Sequence, residues 1–235
     1  MHQPYLIMPR KGYLEAVFYL FNYLEKKHNA CIVFDPTYPE IDMSVFKECD
    51  WKTMYGDGSE AIPPRAPKPR GNDINLRMYV DSNHHAGDKR VQRSRTGFLI
   101  YMIMLQITWF LKKQSTIKTS VFGAECVAMM QGMETLRGLC CKLRMMGVAL
   151  AESSYIYGNN TSVIHNTQQP ESVLEKKLNL VCYHAVRDAV AMGECLTGHV
   201  STHDNPPDIC TKIMPGGQKH DHLVGLILHN LTDHR

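Results

Sequence analysis

Three carboxylates fall where separate elements of this chain end or begin. Asp81 closes the apolar-alternating run LRMYVDS, Glu125 lies in the first turns of a long amphipathic run, and Asp208 sits in NPPDICTKI. Carboxylates drawn from separate elements suit Mg²⁺, which binds through a few carboxylates plus substrate phosphate oxygens. Two such ions about 4 Å apart activate a water and stabilise the leaving oxygen of an in-line displacement. A fourth position belongs with them by its place at a strand tip, where YIYGNN ends in two neutral amides, Asn159 and Asn160. Spacing alone leaves plainer readings open. Asp81 starts a turn, and Glu125 and Asp208 suit helix N-termini, where the dipole favours an anion.

The elements that must position these residues are read from periodicity. Leu14, Val17, Phe18, Phe21 and Leu24 recur at helical spacing, and the short strand ACIVFD follows. AIPPRAPKPRG, 61–71, is Pro- and Arg-rich and reads as a linker. After it come the strand ending at Asp81, a charged turn, and a hairpin of two strands broken near Leu105. Val127, Met130, Met133, Leu136, Cys140 and Leu143 then mark an amphipathic helix, with Ser120 to cap its start and Gly147 its end. The YIYG strand ends in a polar turn. A helix follows with Leu174, Leu178, Val181, Ala185 and Ala189 on its apolar face. CLTGHVST is the next strand, NPPDICTKI a short Pro-initiated helix, and HDHLVGLILHN a last helix. A meander followed by alternating helices and strands predicts a mixed sheet flanked by helices.

Composition narrows the function classes. With 44% hydrophobic and 21% charged residues and a net charge of +3, the 235-residue chain is ordinary globular protein with room for local basic patches. Eight scattered cysteines without a C-x-x-C pair fit neither a disulfide framework nor a zinc ribbon, and point to a reducing compartment. The N-terminal run MHQPYLIMPRKG lacks the apolar core of a signal peptide, so cytoplasm or nucleus is expected rather than secretion. The most apolar run, 97–111, is shorter than the roughly 18 residues of a membrane span.

Five ordered blocks carry more than spacing: YVDSNHHAGD, SRTGFLIY, TWFLKKQSTIKTSVFGAECVAM, YIYGNNTSVIHN and HDNPPDICTK. Together they resemble the RNase H domain of copia-type retrotransposon polyproteins over roughly residues 76–215. GYLEAVFYLFNYLEKKHNACIVFD resembles the end of that family's reverse transcriptase, although the chain has no aromatic-x-Asp-Asp polymerase motif. The resemblance implies four segments: a reverse transcriptase remnant at 1–60, a linker at 61–73, an RNase H-like domain at 74–215, and a C-terminal helix and tail at 216–235. It implies a five-stranded mixed sheet flanked by helices and, by ancestry, a polyprotein shared with reverse transcriptase and integrase. It further implies cleavage of the RNA strand of RNA–DNA hybrids by an Asp-Glu-Asp-Asp tetrad with Mg²⁺, or Mn²⁺ in its place.

Carried over residue by residue, the tetrad falls on Asp81, Glu125, Asn159 and Asp208, which leaves Asp81, Glu125 and Asp208 as metal ligands. Asparagine offers one neutral acceptor oxygen and an NH₂ donor, so it cannot supply a second anionic oxygen. Metal affinity and cleavage are therefore expected to be severely impaired, since even outer-shell losses at metal sites cost roughly 10–100-fold. Other departures from the blocks are an extra residue in NHH with Asn83 for a second Asp, Leu111 for Ser before KKQ, and Pro207 for Ala before Asp208. Together they read as drift in a decayed copy.

Lys89, Arg90, Arg93, Arg95, Lys112 and Lys113 form a basic rim for phosphate contacts, with Gln114 and Asn160 as polar contacts to nucleic acid. The plainer reading is a solvated basic loop. His84 and His85, at the turn beside Asp81, are within reach of a metal or phosphate, and the plainer reading is an insertion in an exposed turn. His199 and His203 do not share a helical face, which argues against zinc, and His203 is either a surface residue or a proton shuttle near Asp208. The methionines from Met129 to Met146 read as core filler. Three functions stay open: a weakened ribonuclease, a non-catalytic nucleic-acid-binding module, and an inert remnant.

Overall fold

The computed structural model describes residues 11–84, 93–151, 153–174 and 177–231, in two compact units. The smaller unit, up to Val33 and from Leu228 onward, holds helix α1 (Lys11–Lys26) and a short antiparallel pair, β1 (Ala30–Cys31) with His229–Asn230. The predicted last helix is therefore split. It is helical at Gln218–Gly225, and its final residues extend as a strand instead.

The larger unit, Phe34–Ile227, is built on one sheet. Its elements begin with α2 (Lys52–Tyr55), β2 (Arg70–Ile74), β3 (Leu76–Asn83), β4 (Arg95–Met102), β5 (Leu105–Lys113), α3 (Val121–Met145) and β6 (Val148–Leu150). They continue through β7 (Ser154–Gly158), α4 (Thr161–Gln168), α5 (Leu180–Ala191), β8 (Cys195–His199), α6 (Asp208–Thr211) and α7 (Gln218–Gly225). The strand order is β5-β4-β3-β7-β8, antiparallel across β5, β4 and β3 and parallel from β3 to β8. This is the expected five-stranded mixed sheet with flanking helices. Residues 70–74 add a small parallel pair with β6, and the Glu60 carboxylate pairs with Arg144 on α3, so the Pro-rich stretch is pinned at both ends.

Each strand follows from its pattern. In β3, Leu76, Met78 and Val80 are buried on the α3 side while Arg77 and Tyr79 point the other way. Phe98, Leu99 and Ile100 in β4 are all buried because that strand is covered on both faces, which explains its continuous apolar run. α3 starts at Ser120, whose Oγ accepts from the Gly123 N–H, and it gives way to Gly147 at φ +79°. Met129, Met133, Leu136 and Cys140 carry its stripe onto the sheet, whereas Met145 and Met146 are exposed and are not core filler.

Two local expectations are corrected. The polar turn after YIYG is the start of α4: the Asn160 Oδ1 accepts from the Val163 N–H at 3.1 Å and caps it. The apolar face foreseen for α5 holds in part. Ala189 is buried and Leu174 and Ala185 pack on the core, but Leu178 and Val181 are 80% and 78% exposed, while Cys182, Tyr183, Val186 and Arg187 face in. Arg187 is the cause. Its guanidinium donates to the carbonyls of Asn166 and Gln169 at 2.8 Å each and to Tyr55 Oη at 3.2 Å, and it stacks on Trp51 and Tyr183. A cation this well satisfied is stable inside, and it sets which side of the helix faces in.

Candidate active site

Strand register brings the predicted positions together. Val80 on β3 lies opposite Gly158 on β7, so the next residues along the two parallel strands, Asp81 and Asn159, are neighbours. The Asn159 amide Nδ2 donates to Asp81 Oδ1 at 3.3 Å. On the other side Asp81 lies opposite Gly97 of β4. A Cβ at Gly97 would come within 2.5 Å of the Thr211 methyl, so glycine there lets α6 seat against the sheet.

α6 is held by three further contacts. The buried Asn205 amide donates to the Val80 carbonyl at 3.2 Å, Asn83 Nδ2 donates to the Thr211 carbonyl at 2.9 Å, and the Thr211 hydroxyl donates to Asp81 Oδ2. Asn83, a departure from the resembled block, thus has a structural task. Pro207 suits its place at the helix start, where no N–H is needed.

Asp208, carried at the first turn of α6, is fully buried like Asp81. Lys212, one turn further on, bridges the two acids, with Nζ at 2.6 Å from Asp208 Oδ1 and 3.1 Å from Asp81 Oδ1. Lys219 on α7 reaches Asp208 Oδ2 at 2.8 Å. Glu125 completes the cluster from α3. Burial, and then the neighbouring Asp81 charge, pushes its carboxyl well above the usual range, against the pull of Lys212 and a backbone bond from Ser82. Burial likewise raises Asp81, opposed by Lys212 and Thr211. Burial alone would lower Lys212, but Asp81 and Asp208 outweigh it and hold the ammonium above its usual value.

This donor set does not fit a pair of divalent ions as it stands. Both oxygens of Asp81 and both of Asp208 already accept from protein donors, and Asn159 turns a donor, not an oxygen, toward Asp81. The arrangement neutralises buried carboxylates with ammonium and amide groups.

Comparisons with known proteins find relatives for part of the chain. The chain is 30% identical over 143 residues to the retrovirus-related Pol polyprotein from transposon RE1 of Arabidopsis thaliana, covering 61% of this chain and 10% of that protein. It is 29% identical over 146 residues to that from transposon TNT 1-94 of Nicotiana tabacum, covering 62% and 11%. Over about three-fifths of its length the chain is thus similar to retrotransposon Pol polyproteins. It spans about a tenth of the length of these curated relatives. No protein-family profile matches it. Among solved structures it is similar to the N-terminal RNase H domain of a Mycobacterium tuberculosis protein, with TM-score 0.45 and 11% identity over 66% of this chain and 96% of that one. RNase H1 of Halobacterium salinarum gives TM-score 0.44 and 11% identity over 58% and 93%.

The remaining candidate positions are placed as follows. Arg95 lies opposite both Asn83 and Lys113, which sets the basic rim at the same strand ends as Asp81. Arg93, Lys112 and Lys113 line an open depression of about 590 Å³ with Phe110, Gln131 and Glu134. Gln114 does not belong to that rim. It is 1% exposed, and its amide donates to Thr96 Oγ1 and the Ala124 carbonyl, tying the end of β5 to α3. Asn160 spends its side-chain oxygen on the α4 cap. Lys89, Arg90 and His85 lie outside the described residues. His84 contacts the Lys118 carbonyl, and His199 and His203 are exposed. Sequence reasoning missed Thr211, Lys212 and Lys219. Lys212 was findable four residues after Asp208, on the same short helix face.

Proposed function

We propose that this chain is a retrotransposon-derived RNase H-like domain that engages nucleic acid, an RNA–DNA hybrid by ancestry, and whose cutting of the RNA strand is severely impaired. The single observation that carries the reading is Asn159: at the strand tip beside Asp81 it presents an amide donor where an acid would present an anionic oxygen. RNase H-like folds generally use divalent metals, and Mg²⁺ or Mn²⁺ is the ion proposed here, held with reduced affinity. The basic depression beside Phe110 supports a backbone-binding role, because phosphate contacts need cations and no sequence information. Derivation from a polyprotein with reverse transcriptase and integrase belongs to the same reading. So does residence in the cytoplasm or nucleus, which the eight free thiols support. No helix among the described residues is long and apolar enough to cross a membrane.

The test measures cleavage and binding of a labelled RNA–DNA hybrid by the chain and by its Asn159→Asp variant, with Mg²⁺. Salt-sensitive binding by both, with cleavage by the variant only, is the expected result. Equal cleavage by both overturns the role given to Asn159. Absence of hybrid binding overturns the proposed function.

A further inference from the structure

The cations around the acids are less exposed than those of a surface pair such as Lys52 with Asp57. Asp81 and Asp208 are fully buried, and the two ammonium groups that meet them are about one-third exposed. Lys212 and Lys219 arrive from different helices. α7, which carries Lys219, is anchored by Leu223 and Val224, 0% and 5% exposed. Lys219 is therefore delivered by a packed element rather than by a wandering side chain. Two buried carboxylates thus face two ammonium groups, and the Asn159 amide and Thr211 hydroxyl also donate to Asp81, one to each oxygen.

We propose that Lys212 and Lys219 are built-in counter-cations of this cluster: they stabilise Asp81 and Asp208 in the metal-free fold, and a divalent ion reaches those oxygens only by displacing them. The physical reason is competition. A buried carboxylate is stable only when paired, and a pair already made must be broken before a metal gains anything. Asp208 is the focus of that competition, since each of its oxygens meets a different lysine. The inference stands whether or not the chain binds or cuts nucleic acid, so its test contains no nucleic acid.

The experiment follows thermal unfolding of the full chain in EDTA and in rising Mg²⁺ or Mn²⁺ at constant ionic strength. Four proteins are compared: the parent, Lys212→Met/Lys219→Met, Lys219→Met, and Asp208→Asn/Lys219→Met. The parent is expected to show the same Tm with and without millimolar Mg²⁺. The double methionine variant is expected to lose several degrees in EDTA and to regain them as the ion is added, because a ligand that binds only the folded state raises Tm with its concentration. Calorimetric titration with Mn²⁺ should show that variant binding tighter than the parent by about tenfold or more, the scale on which groups around a metal site tune affinity. A parent whose Tm climbs with Mg²⁺ as steeply as the variant's overturns the inference. So does a double methionine variant as stable as the parent in EDTA. If that variant does not fold, the matched-loss pair decides. Asp208→Asn/Lys219→Met should be more stable than Lys219→Met alone, and equal stability of the two overturns the proposal.

Discussion

Replacing Asn159 by aspartate sets a fourth acid against Asp81 and converts an attraction into a repulsion. Asn159 Nδ2 now lies 3.3 Å from Asp81 Oδ1, and a carboxylate oxygen in the same place keeps that separation. Two unit charges that far apart repel by about 1 kcal/mol in water and about 5 kcal/mol at an effective dielectric of 20. Asp81 is fully buried and Asn159 only partly so. The loss of stability should therefore fall between, at about 2–4 kcal/mol, including about 1 kcal/mol for the lost hydrogen bond. The sign of the pH dependence follows. Repulsion raises the carboxyl pKa values in the folded protein, so the deficit is absent below the ordinary aspartate value of 3.8 and grows as the pH rises toward the folded values. Urea denaturation of parent and variant in EDTA, at neutral pH and again in acid, reads both features, and repetition in Mg²⁺ should recover much of the neutral-pH loss. A variant as stable as the parent at neutral pH in EDTA would refute the reasoning, because the two side chains could not then share the site as described.

Other substitutions probe the frame around this pair. Gly97→Ala should destabilise by about 1–3 kcal/mol in chemical denaturation, since its methyl collides with Thr211 and lifts α6 from the sheet; an alanine variant of parental stability would remove glycine's role there. Glu125→Gln should stabilise at neutral pH, on the about 1–3 kcal/mol scale of an ill-matched buried polar group. The folded carboxyl is raised by burial and by Asp81, so this gain should vanish as the pH falls below the ordinary value of 4.5; a gain that persists in acid contradicts it. Arg187→Met should lose about 3 kcal/mol or more, because several carbonyls are left without a donor at about 1–3 kcal/mol each, and a urea midpoint near the parent's would show that those acceptors find other partners.

How much of this was legible in the sequence depended on whether a residue's environment is local. β3 and α3 were legible because alternation and 3.6-residue spacing are written into neighbouring positions, and Ser120 and Gly147 mark α3's ends by their own chemistry. The α5 face was legible only in part. Leu178 and Val181 are apolar but exposed, because Arg187 is satisfied by carbonyls at Asn166 and Gln169, which no periodicity reveals. Asp81, Glu125 and Asp208 were picked out by lying at element ends, and so was the strand tip at Asn159, but with no charge to draw the eye its role as the fourth position came only from the resemblance. Gln114 was misplaced for a related reason. A polar residue after two lysines looks like surface, yet its amide closes the junction of β5 and α3 from inside. Lys219 escaped altogether, since its partner Asp208 lies on a different helix.

Asn159 and the lysines belong to one electrostatic problem. Carboxylates brought together from β3, α3 and α6 repel one another, and the fold must supply positive charge or remove negative charge to keep them there. Here it does both. Lys212 and Lys219 bring two ammonium groups, and position 159 brings an amide that donates to Asp81 instead of opposing it. Each step that makes the cluster comfortable without metal also makes it a poorer host for one, because the same oxygens are taken. Stability without metal thus favours the amide at position 159, as stability and activity commonly pull apart where like charges must converge. An aspartate there would supply an anionic oxygen only in a protein that is first destabilised, unless a divalent ion enters as the charge does.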